Sequence, residues 1–482
     1  MTWDELAESA LRRLHATGTE YGDVRIQASE VQRVVGQDGR IATVHDSRDS
    51  GFGVRVLYHG AWGFAASAVM SPEEVPRVAD LALQIAMGSA SLATDPVRLA
   101  PEPVHRDSVR TSFRVDPFTV PLEDKTRFLL EAMERLHRQA GIVRSRAELW
   151  ARRDRKLFVS TEGAHLHFDL LAVQGEMAAT AAHEGRFATR TFQTPHLRTG
   201  YELVLEADFL REAPRVAAQA VEKARAPAVE PGRYDLVLDP EHLSLTMHES
   251  CGHPSELDRA LGYEANYAGT SFLTPDKLGH FRYGSRHVNL VADNTEPGTL
   301  AATGYDDDGV ACQRWDVIRE GVFVGYCTNR EVAPKIGQAR SRGSNRADGW
   351  GSIPIVRIAN IGLEPGPAGL EDLIADVKRG IYIEGHDSFS IDQQRYNFQF
   401  GGDAFWLIEN GRRTRMLRDV IYHGITPEFW GSCDGVADAA HRRRYGFITC
   451  GKGQPTQAGW MTHAASHALF RGVHVIRGGA GA

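Results

Sequence analysis

The chain has no run of eighteen apolar residues, no internal repeat and no low-complexity tract. The first absence excludes a membrane-spanning helix, and the other two exclude solenoid architectures and long disordered tracts. Cysteine is scarce. Five in 482 residues, an odd number without paired spacing, rule out a disulfide framework and leave free thiols, any of which remains available as a ligand. An excess of basic charge is also missing: Lys and Arg total 55 against 62 Asp and Glu, a formal net charge of -7. That balance argues against a nucleic-acid partner, and the one basic cluster, Arg442 to Arg444, reads as a solvated loop. The start, Met1 to Glu8, is acidic where a signal peptide would be basic. A soluble cytoplasmic protein with no membrane partner is expected.

What is present is ordinary globular material, 42% hydrophobic and 24% charged, enough for two domains. Leu6, Ala10, Leu11 and Leu14 form a helical stripe, and residues 22–28 alternate as a strand. A hairpin turning at His59-Gly60 and a helix opening at Ser71-Pro72-Glu73-Glu74 follow. Alternation from Ile142 to Phe192 predicts an antiparallel sheet packed on helices, with its charged residues on a wet face. A helix over about 208–226 then ends in the Pro-rich bridge Arg225 to Arg233, which sets the expected boundary. The fold class is thus α+β: an N-terminal helix and antiparallel-sheet domain over 1–226, then a β-rich domain over 227–482 whose opening helix lies across a twisted or barrel-like sheet.

The second domain opens with the stretch most suited to chemistry. Tyr234 to Leu238 reads as a strand, Asp239 as N-cap and Pro240 as first helical residue, so that one helix carries His248 and Glu249. In Met247-His248-Glu249-Ser250-Cys251-Gly252-His253-Pro254, two imidazoles flank a carboxylate, as a hydrolytic metal site requires. The separation is five residues rather than the common four. On a regular helix such residues diverge by about 140°, too far to share one ion. Either a π-bulge stacks them, or the helix ends at Gly252 and His253 approaches from a loop; Gly252 and Pro254 favour the ending.

A third ligand must come from Cys or His. Cys450, in Phe447-Ile-Thr-Cys-Gly-Lys-Gly-Gln-Pro455, stands where an apolar strand meets a Gly-rich turn, with Lys452 near enough to favour thiolate; it reads equally as an inert buried thiol. Cys251 lies within the motif itself. His463 and His467 form an i, i+4 pair, but no Glu stands beside them and the surrounding Ala and Leu suggest a packed helix. Asp306-Asp307-Asp308 lacks the spaced oxygens of a calcium loop and reads as a turn with solvated carboxylates.

The motif resembles that of the TldD/PmbA family, and so do Cys450-Gly-Lys-Gly-Gln454, Tyr305-Asp-Asp-Asp-Gly-Val310, Val322 to Tyr326, Pro354 to Ile358, Ala404 to Gly411, Tyr21 to Arg25 and Trp62 to Ala65. Glu256 to Ser271 departs from the family's approach to its Gly-Thr-Ser, as does Cys251. The resemblance implies a zinc peptidase of the TldD type, with Zn²⁺ held by His248, His253 and Cys450, and Glu249 as general base toward a metal-activated water. It also implies short or unfolded peptides as substrates, and a homodimer or a heterodimer with a PmbA/TldE-like subunit. The family's other type, a non-catalytic scaffold subunit, lacks these ligands.

Overall fold

A computed structural model describes residues 2–478; Met1 and residues 479–482, the outer ends of the two expected domains, lie outside the described residues. The first half is one seven-stranded sheet. Its strands are β1 (Tyr21–Gln37), β2 (Arg40–Tyr58), β3 (Ala61–Ser67), β4 (Arg106–Arg110), β5 (Ile142–Ser160), β6 (His165–His183) and β7 (Arg186–Gln193). The order is β3-β2-β1-β5-β6-β4, with β7 beside β6, and every pairing is antiparallel except β4 with β6. The β2–β3 turn places His59 and Gly60 at positive φ, as its sequence predicts. No helix intervenes between β1 and β3, and the long strands form continuous hairpins.

One face of this sheet is apolar. Val24 and Ile26 pack under α1 (Trp3–His15) and α2 (Glu74–Ala90), and Val34 and Leu149 under α3 (Leu122–His137) and α5 (Phe209–Arg225), with the short α4 (Glu202–Glu206) preceding α5. The other face carries Asp23, Arg25 and Gln27, yet all three are buried, because loops of the second half cover it. The expected wet face is therefore an internal joint. Its acidic side is Asp306-Asp307-Asp308, which is buried rather than solvated: Asp308 pairs with Arg55 at 2.6 Å and Asp307 with Lys156 at 2.5 Å.

The second half holds a nine-stranded and a six-stranded sheet, not a barrel. The nine-stranded sheet begins with β8 (Gly232–Leu238), which pairs parallel with Arg379–Glu384 and antiparallel with Ala468–Arg477. The six-stranded sheet includes the hairpin of Arg443–Lys452 with Gln457–Ala465. After β8, α6 (Pro240–Met247) is started by Asp239, whose carboxylate accepts the His242 N–H at 2.8 Å. This helix packs between the two sheets rather than on one alone. It is buried on nearly every side, touching Arg379–Glu384 of one sheet and Arg443–Ala465 of the other, and Leu243, Met247 and Cys251 enter the common core. A helix buried on nearly every side, with His242, Ser244 and Thr246 inside as well as its apolar residues, has no broad solvent face, so its position is fixed by packing.

Candidate metal centre

The chain stays helical past Met247 but changes its winding. His248–Gly252 is a single π turn, closed by the His253 N–H donating to the His248 carbonyl, and His253–Ser255 follows as a 3₁₀ turn. The i+5 repeat brings the two imidazoles to the same side of the helix, edge to face, with ring centroids 4.9 Å apart. The expected helix end at Gly252 is thus corrected. Gly252 has φ -58° and ψ -63°, and His253 is helical despite the following Pro254. Glycine is required for space: a Cβ on Gly252 would stand 2.8 Å from Ile358 Cγ2.

His248, His253 and Cys450 converge, each offering a ligand atom within 4.8 Å of the others. A tetrahedral zinc with nitrogen at about 2.1 Å and sulfur at about 2.3 Å implies an N to S edge of about 3.6 Å. Cys450 Sγ lies 3.5 Å from His253 Nε2, so the donor set fits such an ion. The other ring nitrogens are occupied. Nδ1 of His253 faces Glu256 Oε2 at 2.9 Å, the outward carboxylate partner that commonly orients a ligating histidine.

His248 is oriented by His463, which lies on the strand Gln457–Ala465 and not on a helix. The Ile361 N–H donates to His463 Nδ1 at 3.0 Å, which leaves the proton of neutral His463 on Nε2, facing His248 Nδ1 at 2.9 Å. Burial holds His248 down to about 4, so the ring is neutral at ordinary pH. His467 is not part of the cluster; it bonds the Tyr382 hydroxyl. Cys251 turns into the core, where burial pushes its thiol up, away from thiolate chemistry.

Burial would also raise the Cys450 thiol, but His253 and the Arg357 guanidinium outweigh it and bring it below the usual range. Arg357 Nη2 donates to Cys450 Sγ at 3.1 Å, and Gly459 makes room for that guanidinium. The neighbouring cation is therefore Arg357 and not Lys452. The Lys452 ammonium turns away to Asp258, at 2.7 Å and 2.8 Å, and to the Val356 carbonyl. Glu256 sits beside it; burial alone would raise this carboxyl, but Lys452, His253 and Arg259 hold it well below its ordinary value.

Glu249 is buried, and Arg395 Nη1 donates to its Oε2 at 2.5 Å. Arg357, Arg395 and His463 in this role escape sequence reasoning, although Arg357 falls within a stretch that resembles the family. Glu256 to Ser271, the divergent segment, packs on the Cys450 loop, where Glu264 accepts the Gly453 N–H.

Family models for domain 1 and the C-terminal domain of PmbA/TldA metallopeptidases match residues 22–86 and 231–469. A metalloprotease of Methanocaldococcus jannaschii is 28% identical over 419 residues, spanning 86% of this chain and 89% of its own. A zinc metalloprotease TldD homolog of Saccharolobus solfataricus is 21% identical, over 86% and 88%. The fold matches TldE of Thermococcus kodakarensis with a TM-score of 0.74 at 16% identity, over 99% of each chain. A Thermotoga maritima protein described as a putative modulator of a DNA gyrase matches at 0.79, also at 16%, over 98% of this chain and 100% of its own. Those structures show the fold alone. The matched models and the two-part architecture define a member of a metallopeptidase class. Within it, the chain belongs to the TldD/PmbA family. Among the described residues, no helix is long and apolar enough to cross a membrane.

Proposed function

We propose that the protein is a zinc-dependent peptidase that hydrolyses short or unfolded polypeptides, with His248, His253 and Cys450 as ligands and Glu249 as general base. The observation that carries this reading is the convergence of three ligand atoms from two distant segments, with a carboxylate one residue from the first. Three protein ligands leave a fourth position open, whereas a structural zinc is closed by four. Zinc bound there supplies Lewis acidity, which polarises a peptide carbonyl and brings a water's pKa from 15.7 toward about 7.

The chain's own groups do the rest. Glu249 takes a proton at its carboxylate and returns it to the departing amine. Glu256 and His463 hold the two imidazole rings in place, and Arg357 stabilises negative charge on the Cys450 sulfur. Burial of all four site residues keeps bulk water from screening these interactions. The strand edges of the second half suit an extended peptide bound through main-chain hydrogen bonds. A dimer, with a second copy or a TldE-like subunit, would restrict access to unfolded chains.

The test is Glu249→Gln, which preserves size and removes the proton acceptor. Zinc content should stay near that of the native protein while turnover of an unstructured peptide falls about 10²–10⁴-fold, mainly in kcat. Undiminished turnover with full zinc would refute Glu249 as base. Loss of zinc would make it a ligand.

A further inference from the structure

Arg395 stands at the tip of the hairpin formed by Phe389–Ile391 and Asn397–Gly401. Its backbone lies in the left-handed region, at φ 65°, which a side chain other than glycine adopts only at some cost. The tip is pinned on several sides. The Arg395 N–H donates to the Asp392 carbonyl, and the Asp392 carboxylate accepts the Tyr396 and Asn397 N–H groups. The Gln393 and Gln394 carbonyls accept N–H groups from Thr270 and Phe272, and the Arg395 carbonyl accepts the Thr426 hydroxyl. A strained conformation so firmly held points to a role for the side chain it aims.

That side chain uses little of its capacity. Of five guanidinium N–H donors, Arg395 spends one on Glu249, through Nη1. Its Nε is buried without a partner, and Nη2 makes no hydrogen bond among the described residues. These two nitrogens form the edge by which arginines grip carboxylates elsewhere in this chain: Arg153 holds Asp169 through Nε at 2.7 Å and Nη2 at 2.8 Å. Through Nη1 the guanidinium reaches Glu249, the residue next to the proposed ligand His248, which places it beside the candidate metal centre. A buried guanidinium Nε with nothing to bind is costly, and a planar carboxylate is the group that would satisfy it together with Nη2 bidentately.

We propose that the free Nε and Nη2 edge of Arg395 binds a carboxylate of the peptide substrate near the scissile bond, so that the site selects acidic peptide ends or side chains over neutral ones. This rests on the peptidase reading above and names the substrate class for that site. Arg395 is then a specificity residue, and its remaining contact keeps the Glu249 carboxylate fixed while substrate binds. The carboxylate has two sources, a peptide's C-terminus or an Asp or Glu side chain, and both offer the same two oxygens.

Four versions of one unstructured peptide separate them: free acid or C-terminal amide, each with Glu or Gln beside the cleaved bond. The zinc-loaded protein should favour the version bearing the recognised carboxylate by about 10–100-fold in kcat/KM. Loss of preference on amidation identifies the C-terminus, and loss on Glu to Gln exchange identifies the side chain. Arg395→Gln should bring the ratio near one, and Arg395→Lys, which keeps the charge without the fork, should leave an intermediate ratio. Equal cleavage of all four versions, or a preference that survives Arg395→Gln, overturns the proposal. Calorimetry of acid and amide peptides on the metal-depleted protein reads the same preference without turnover. A protein that cleaves nothing yet binds the acid more tightly through Arg395 refutes the peptidase reading and keeps this one, whereas equal binding refutes both.

Discussion

Gly252→Ala separates two explanations of how His248 and His253 come to share a site. If Gly252 is present for backbone freedom, a residue restricted to ordinary helical angles would disturb the chain there. The observed φ of -58° and ψ of -63° need no such freedom, and alanine would gain about 1 kcal/mol over glycine in a helix. What opposes it is Ile358, whose Cγ2, Cδ1 and Cγ1 would stand 2.8, 3.1 and 3.5 Å from the new methyl. Overpacking of this kind costs about 1–3 kcal/mol, which leaves a net loss of about 0–2 kcal/mol. The two contributions come apart in a double-mutant cycle. In an Ile358→Ala background the clashing Cγ2 and the crowding Cδ1 are gone, so Gly252→Ala should become stabilising by up to about 1 kcal/mol, a coupling of about 1–3 kcal/mol. Urea denaturation of the four proteins measures it, and zinc affinity reports whether the π turn has moved. Gly252→Ala that stabilises the native background, or that destabilises equally in both, would refute the packing argument.

Cys450→Ser should lower zinc affinity by more than the roughly 10–100-fold typical of outer partners, while Cys251→Ser leaves it unchanged; elemental analysis after dialysis decides. His463→Gln should weaken zinc by about 10–100-fold without removing a ligand, and competition with a chelator measures this. His242 contributes a pH dependence whose sign follows from its position. It is wholly buried between the Gly385 carbonyl and the Tyr422 hydroxyl, and burial holds it at about 3. The unfolded chain takes up that proton below about pH 6.5 and the folded chain does not, so this stability is intact above 6.5 and lost as pH falls toward 3. Relative to His242→Gln, the native protein should lose about 1.4 kcal/mol more for each pH unit between about 6 and 4. Parallel pH profiles for the two proteins would contradict it.

Local signals survived the passage from sequence to structure. Asp239 and Pro240 open α6 as their types require, and the α+β organisation follows from periodicities of 2 and 3.6 that tertiary contacts reinforce. The five-residue spacing announced an unusual turn but not which one. Gly252 and Pro254 are both helix-ending residues by local preference, and only Ile358, distant in sequence, reveals what the glycine is for. The groups around the metal centre were hidden for the same reason: Arg395 reaches Glu249 across 146 residues, and His463 reaches His248 across 215. Lys452 looked well placed beside Cys450 because it is two residues away and on the same face of the strand, but two buried carboxylates, Glu256 and Asp258, claimed its ammonium.

The three aspartates at 306–308 connect the first half of the chain to the chemistry of the second. Their run of like charge looks solvated because three adjacent carboxylates cannot be buried without separate partners, and the fold provides them. Asp308 takes Arg55 and the Asn345 side chain, Asp307 takes Lys156 and the Ala347 N–H, and Asp306 accepts N–H groups from Asp308, Val310 and Asn345. Two cations come from the first sheet, while Asn345 belongs to a two-residue strand paired with Ile355–Val356. The residues immediately after that pairing are Arg357, whose N–H donates to the Ser344 carbonyl, and Ile358, whose carbonyl accepts from Arg346. The joint therefore fixes the segment that brings one guanidinium to the Cys450 sulfur and one side chain against Gly252. A sheet that contributes no ligand to the His248, His253 and Cys450 centre still sets the position of two groups on which the metal geometry depends, which gives a physical reason for both halves to occur in one chain.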